Sequence, residues 1–171
     1  MTKIILRLVF SLFLICCCSQ VRSCDCPVKP ILDSAVVGSS CIFYGTVFSK
    51  EKIIYRDNLD GTYKELDSLE SVNEPIILGF YRVTFIQCKI YKGDSKKRKI
   101  VVMTEIPRNA CGYNFEIGKK YIVYSNGNSS LNQELYTNSC SRTMLFNRNE
   151  NCDLLKFLKK TRKKRNSQRK E

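Results

Sequence analysis

Cysteines constrain this chain more strongly than any other feature of its sequence. Ten cysteines occur in 171 residues, a higher density than a cytosolic domain of this size holds unpaired. Three of them fall in an apolar N-terminal segment, which leaves seven: Cys24, Cys26, Cys41, Cys88, Cys111, Cys140 and Cys152. Because seven is odd, at most three intramolecular bridges form and one thiol is left over. We therefore expect a small domain stapled by disulfides.

The N-terminal segment has the pattern of a secretion signal. Two positive charges precede Leu8–Cys18, an apolar run of eleven residues, whereas a bilayer span needs about 20. Small-residue positions at Val21 and Ser23 predict that residues 1–23 are a signal peptide and that the mature chain begins at Cys24. Lipidation of that cysteine, as in bacterial lipoproteins, is the alternative. We expect a secreted, extracellular protein, in an environment where disulfides persist.

Positive charge is concentrated at the other end of the chain. The net charge is +13, of which +8 lies in residues 156–171. Like-charge blocks are usually disordered, so we expect a disordered basic tail. The tail is either simply solvated, or docks on acidic glycosaminoglycan or an anionic membrane surface, or is removed by a proprotein convertase. Nucleic acid is the least expected partner of an exported chain. The candidate polyanion contacts are Lys159, Lys160, Arg162, Lys163, Lys164 and Arg165.

Between leader and tail, residues 24–155 have the periodicity of strands. The candidate strands are Cys41–Phe48, Phe80–Tyr91, Lys99–Ile106, Lys120–Ser125 and Glu134–Ser139, and the turn signals are Asp60-Gly61, Gly93-Asp94 and Asn126-Gly127. Helices are predicted at Ile31–Val37 and Cys152–Leu158. Residues 56–74 are polar and charged, which indicates a long exposed loop or an extended hairpin. Five short strands separated by turns predict a small closed barrel.

Two single residues stand out within this region. Cys88 alternates with Ile86 and Ile90 on one face of its strand. We expect it to be a free thiol buried in the barrel, with intermolecular pairing as the alternative. Asn128 begins the only glycosylation sequon, Asn128-Ser-Ser130.

The absence of histidine from the sequence bears on the function class. Without histidine the chain offers no serine triad, no Cys–His nucleophile and no histidine-based zinc site. It also carries no paired-carboxylate motif and no phosphate-binding loop. We therefore do not expect an enzyme.

Several short motifs occur in a fixed order between residues 24 and 152. They are Cys24-x-Cys26, Tyr44-Gly45-x-Val47, Tyr91-Lys92-Gly93, Ala110-Cys111-Gly112-Tyr113, Gly118-Lys119-x-Tyr121-Ile122-Val123 and Asn138-x-Cys140. Together they resemble the N-terminal domain of the tissue inhibitors of metalloproteinases, members of the netrin-like (NTR) family. The second, six-cysteine domain of the vertebrate inhibitors has no counterpart in this sequence.

This resemblance implies a fold and a disulfide pattern. The fold would be mainly β, a five-stranded OB-fold-like Greek-key barrel with short flanking helices, in agreement with the strand count. The implied disulfides are Cys24–Cys111, Cys26–Cys140 and Cys41–Cys152, with Cys88 left free.

The resemblance also implies a function, a secreted inhibitor of zinc metalloendopeptidases. The free α-amine and the carbonyl oxygen of Cys24 would chelate the catalytic zinc of the protease and displace its water. The protein itself would hold no cofactor and no metal, and would act as a monomer. The implied protease contacts are Asp25, Cys26, Pro27, Asn109, Ala110 and Cys111.

Asp25 stands where the vertebrate inhibitors carry Ser or Thr facing the S1′ pocket of the protease. Burial of an unpaired carboxylate costs several kcal/mol, so either the target's pocket is polar or cationic, or inhibition of ordinary matrix metalloproteinases is weak. The alternative function is a non-inhibitory netrin-like binding module, held to acidic matrix or cell surface by its basic tail.

Overall fold

The computed structural model describes Cys26 and residues 28–57, 63–65, 77–94, 96–107, 111–131 and 134–168. The predicted signal peptide and its cleavage site lie outside these residues, as does the Asp60-Gly61 turn. The elements are α1 Leu32–Gly38, β1 Cys41–Asp57, β2 Tyr63–Glu65, β3 Ile77–Lys92, β4 Ile100–Glu105, β5 Lys120–Asn128, a 3-10 turn Ser129–Leu131, β6 Glu134–Tyr136, β7 Met144–Leu145 and α2 Arg148–Gln168. Within the described ranges, neither helix is both long and apolar enough to cross a membrane.

Five of the strands close into a ring in the order β1-β3-β4-β6-β5-β1. β1 closes it by pairing with β3 through most of its length and with β5 through Cys41–Thr46. The β4–β6 pair is parallel and the other pairs of the ring are antiparallel. The predicted fold class, a mainly β OB-fold-like barrel, is therefore confirmed.

Strand alternation divides the apolar residues of β5 and the first part of β1 between two cores, and a third cluster forms around Ile53, Tyr55, Phe80 and Met103. Phe43 and Val123 point inward, where Phe43 packs edge-on against Phe85 with ring centroids 5.2 Å apart. Their sequence neighbours Ile42 and Ile122 point outward and pack against both helices, through Ala35 and Val36 of α1 and Leu154 of α2. Because successive side chains face opposite sides of a strand, one strand supplies both cores.

Strand β3 departs from simple alternation at a bulge. Thr46 of β1 pairs with Ile86 and Tyr44 pairs with Lys89, so β3 carries one extra residue between these pairs. An extra residue shifts the side-chain parity by one. Cys88 and Ile90 therefore pack against the same inner core as Phe85, whereas the sequence pattern assigned them to the opposite face.

Two local predictions are wrong. Asn126-Gly127 is not a turn: both residues lie inside β5, opposite Tyr136 and Leu135 of β6, and the chain reverses only after Asn128. Residues 156–168 are not disordered, since α2 continues through them to Gln168. Lysine and arginine are good helix formers, and like-charge pairs on a helix surface cost only a few tenths of a kcal/mol each. Leu154, fully buried against the barrel, anchors the helix from which they extend.

Candidate functional site

Three cysteines from distant parts of the sequence meet at one point on the barrel. Cys26 and Cys140 form a disulfide across 114 residues, with their Cα atoms 5.2 Å apart, as the resemblance implied. Cys111 is also disulfide-bonded. Its implied partner, Cys24, lies outside the described residues. The sulfur atoms of Cys26, Cys111 and Cys140 all lie within 4.8 Å of one another.

Hydrogen bonds reinforce this cysteine cluster. Ser139 donates to the carbonyl oxygen of Cys111 through its backbone N–H at 2.7 Å and its hydroxyl at 3.0 Å. The same hydroxyl lies 3.8 Å from the sulfur of Cys26. Cys26 is therefore held beside Cys111 by its disulfide to Cys140 and by the hydrogen bonds of the neighbouring Ser139.

Three clustered cysteines are also a possible metal-ligand set, but their bonding argues against that use. Metals bind the thiolate form of cysteine, with sulfur ligands in structural zinc sites. All three sulfurs are committed to disulfides. In this oxidised state the cluster is a covalent staple.

The segment that follows Cys111 is fitted closely to the neighbouring strand. The backbone N–H of Tyr113 donates to the hydroxyl of Thr104, a fully buried residue of β4, at 2.7 Å. A Cβ at Gly112 would lie 1.8 Å from the carbonyl oxygen of Glu105, so only glycine fits there. The segment is thus held by β4 on one side and by Ser139 on the other.

An ion pair that the sequence pattern did not reveal holds the chain between Cys26 and α1. Arg142 donates from Nε and Nη2 to the two carboxylate oxygens of Glu150, each at 2.6 Å, and from Nη1 to the carbonyl oxygen of Pro30 at 3.1 Å. The hydroxyl of Tyr124 donates to the same carboxylate at 2.8 Å. Arg142 therefore links the N-terminal segment to the start of α2.

The pKa of Glu150 reports this environment. Burial raises the pKa of its carboxyl, but the hydrogen bonds from Arg142 and Tyr124 and the charge of Arg142 outweigh burial and hold the pKa below its usual value. Burial and the Glu150 carboxylate together raise the pKa of the Tyr124 hydroxyl. No local motif relates these residues, because one lies in a strand, one in a loop and one in a helix.

The implied Cys41–Cys152 disulfide is wrong, because both thiols are free. Cys41 is buried among the inner core residues, on the face of β1 that points away from α2. Cys152 is exposed on α2. At about 100° per residue it lies on the opposite side of the helix from Leu154, which faces the barrel.

The remaining predicted site residues lie elsewhere on the barrel or outside the described residues. Cys88 is a free thiol, as predicted, but it is only half-buried and lines a surface groove. Asn128 ends β5 and its side-chain oxygen accepts from the backbone N–H of Ser130 at 2.9 Å. Asp25, Pro27, Asn109 and Ala110 lie outside the described residues.

The predicted polyanion contacts lie on α2. From Lys156 to Lys163, lysines take the i, i+3, i+4 and i+7 positions and are all exposed. These positions lie opposite Leu154, Phe157 and Leu158, which pack on the barrel. The helix therefore presents a row of ammonium groups away from the barrel. The side chain of Arg165 lies outside the described part of the chain.

No protein-family model matches this chain, and a search of curated proteins finds none that is significantly similar.

Proposed function

We propose that this protein is a secreted, monomeric inhibitor of zinc metalloendopeptidases that acts through its N-terminal cysteine. The observation that carries the proposal is the meeting of Cys26, Cys111 and Cys140 within 4.8 Å. This cluster holds Cys26 beside Cys111, and the resemblance assigns both residues to protease contact. One residue, Asp25, lies between Cys26 and Cys24, the predicted first residue of the mature chain.

The anchoring of the chain at Cys26 and Pro30 supports inhibition. The disulfide at Cys26 and the hydrogen bond from Arg142 to Pro30 anchor the chain at two positions four residues apart, so little conformational freedom is lost on binding. Val28, between these two anchors, is 80% exposed, which leaves an apolar side chain available for a protease surface.

The chemistry of inhibition requires a free amine at Cys24. The α-amine and the carbonyl oxygen of that residue form a five-membered chelate with the zinc of the target and replace the hydrolytic water. An α-amine has a pKa of about 8, so it loses its proton readily when a metal competes for it.

An N-terminal extension tests this proposal directly. One alanine added before Cys24 converts the amine into an amide and should abolish inhibition of a zinc endopeptidase while the Cys26–Cys140 bridge forms normally. The matched control is the unextended protein, with its N-terminal cysteine verified by peptide mass. Full potency in the extended protein would overturn the proposal.

The lysine row of α2 supports a second function, docking on an acidic glycosaminoglycan. The exposed ammonium groups from Lys156 to Lys163 lie on a single helix face over about two turns, a rigid array suited to a linear polyanion. Of these lysines, Lys156 has a described carboxylate within 4.0 Å, that of Asp153 at 3.6 Å, and the pair is highly exposed.

Salt elution from a sulfated polysaccharide column tests the docking function. Lys159→Gln/Lys160→Gln should elute at clearly lower salt than the parent protein, because screening removes electrostatic binding. Lys29→Gln/Lys52→Gln, which removes two charges from exposed positions outside α2, is the matched control. Equal elution of both variants would show that total charge, not the α2 row, sets the binding.

A further inference from the structure

The bulge in β3 is held in a strained backbone conformation. Gln87 has φ 53°, in the left-handed region that residues other than glycine seldom adopt. Opposite the bulge, a Cβ at Gly45 would lie 2.8 Å from the sulfur of Cys88 and 3.3 Å from the carbonyl oxygen of Ile86. Glycine at position 45 therefore lets the bulge approach β1. Strained, sparsely populated conformations of this kind cluster at binding sites.

A groove of about 540 Å³ lies over this bulge. Its walls combine the strained segment with the loop that leads into β4. The lining residues are Tyr44, Gln87, Cys88, Lys89, Ile90, Lys97 and Arg98. Three of these side chains are cationic and none is acidic.

The cations of the groove have no acidic partners among the described residues. Lys89, Lys97 and Arg98 are exposed, and none lies within 4.0 Å of a described carboxylate. Nearby, Lys120 places its Nζ 5.6 Å from the ring centroid of Tyr44. Three cationic side chains thus line the groove together with Tyr44 and Gln87, and none of the three forms an ion pair with a described carboxylate.

The Cys88 thiol adds no negative charge to the groove. Burial raises the pKa of Cys88 to about 11, so the thiol is neutral at physiological pH. A guanidinium fork, ammonium groups and the Gln87 amide are the donors that bind tetrahedral oxyanions, with the guanidinium providing two parallel hydrogen bonds.

We propose that this groove is a binding site for the sulfate or phosphate group of a small ester ligand, held by Lys89, Lys97 and Arg98 beside Tyr44. The site is separate from the N-terminal inhibitory segment and from the lysine row of α2. The barrel itself therefore carries an anion site that does not depend on the C-terminal helix.

The rate at which Cys88 is alkylated measures whether a ligand occupies the groove. Cys88 lines it, while Cys152 is exposed on α2 and serves as an internal control in the same molecule. A ligand in the groove should slow alkylation of Cys88 by a factor of about 1 + [L]/Kd, about tenfold at roughly ten times Kd. Alkylation of Cys152 should not change.

The experiment compares inorganic sulfate, inorganic phosphate and a sulfated disaccharide at constant ionic strength, with chloride as the reference anion. Protection by the disaccharide and sulfate alone identifies a sulfated sugar as the ligand class, and protection by phosphate as well identifies a general oxyanion site. Equal rates in all four solutions would overturn the proposal.

Two double variants test whether protection depends on the cations of the groove. Lys97→Ala/Arg98→Ala should abolish protection of Cys88, whereas Lys29→Ala/Lys52→Ala, which removes the same charge outside the groove, should retain it. All four residues are exposed, so both variants should fold, which circular dichroism checks. Protection that survives Lys97→Ala/Arg98→Ala would also overturn the proposal.

Discussion

Arg142 and Glu150 form a two-point ion pair, with both nitrogen–oxygen distances 2.6 Å, and the same guanidinium holds the carbonyl oxygen of Pro30. One arginine therefore sets the position of the chain leading to the cysteine cluster relative to α2. Glu150 is 8% exposed, so its charge depends on this partner.

Replacement of Arg142 by alanine should destabilise the protein by about 2–3 kcal/mol. The loss falls below the roughly 3–5 kcal/mol of a fully buried pair, because 23% of the Arg142 side chain is exposed to water. Urea unfolding measures it. Arg148→Ala, at an exposed position of α2, is the control and should change stability by less than about 0.5 kcal/mol. Equal stabilities of the two variants would contradict the assigned role of Arg142.

The same pair predicts a pH dependence. The pKa of Glu150 is lower in the folded protein than its value of 4.5 in the unfolded chain, so its contribution to stability is present above that value. The contribution is lost as the pH falls through the folded pKa. The free energy of unfolding should therefore decrease below about pH 4.5, and Glu150→Gln should flatten this decrease. Parallel pH profiles for the two proteins would argue against an ionised Glu150.

Loss of the Cys26–Cys140 bridge should impair stability and inhibition together. Cys140→Ser opens a loop of 114 residues, which should lower the free energy of unfolding by about 2–5 kcal/mol. Inhibition should weaken further because the N-terminal segment loses its anchor. Cys152→Ser removes a free, exposed thiol and should leave both properties unchanged. A destabilised Cys152→Ser protein would instead favour a disulfide at that position.

Gly112→Ala should disturb the segment next to Cys111. The added Cβ would meet the Glu105 carbonyl oxygen at 1.8 Å, and since this contact is with backbone, the chain must shift, with a loss of about 1–3 kcal/mol. Gly38→Ala is the matched control, because nothing lies within 4 Å of a Cβ there. Thermal unfolding compares them, and equal melting temperatures would mean that the segment adapts without strain.

Asp25→Thr tests the side chain implied to enter the S1′ pocket. Removal of a carboxylate that has no partner in an apolar pocket should tighten inhibition by tenfold or more, since about 1.4 kcal/mol corresponds to a factor of ten. Inhibition constants against proteases with apolar S1′ pockets measure the change. Asp33→Thr, on the exposed face of α1, is the control. An unchanged constant for Asp25→Thr would mean that this side chain does not enter the pocket.

Local patterns in the sequence predicted the barrel well. Cys41–Phe48 is rich in β-branched and aromatic residues, and the residues of Phe80–Tyr91 divide into two interleaved faces. Both patterns are local properties of the sequence. The bulge at Gln87 escaped this reasoning, because one inserted residue reverses the alternation without any local signal of its own. The turn predicted at Asn126-Gly127 failed because pairing with β6 extends β5 through it.

The amino-acid sequence specifies the apolar pattern of the strands, the cysteines available for bridges and the concentration of positive charge in the C-terminal residues. Tertiary structure decided which cysteines meet, since Cys26 reaches Cys140 while Cys41 turns inward, away from Cys152. It also decided that the basic residues form a helix and that Arg142 finds Glu150 and Pro30. The cysteine bridge and the Arg142 contacts depend on partners that only the closed barrel brings within bonding distance, and the helix is anchored by Leu154, which packs on the barrel.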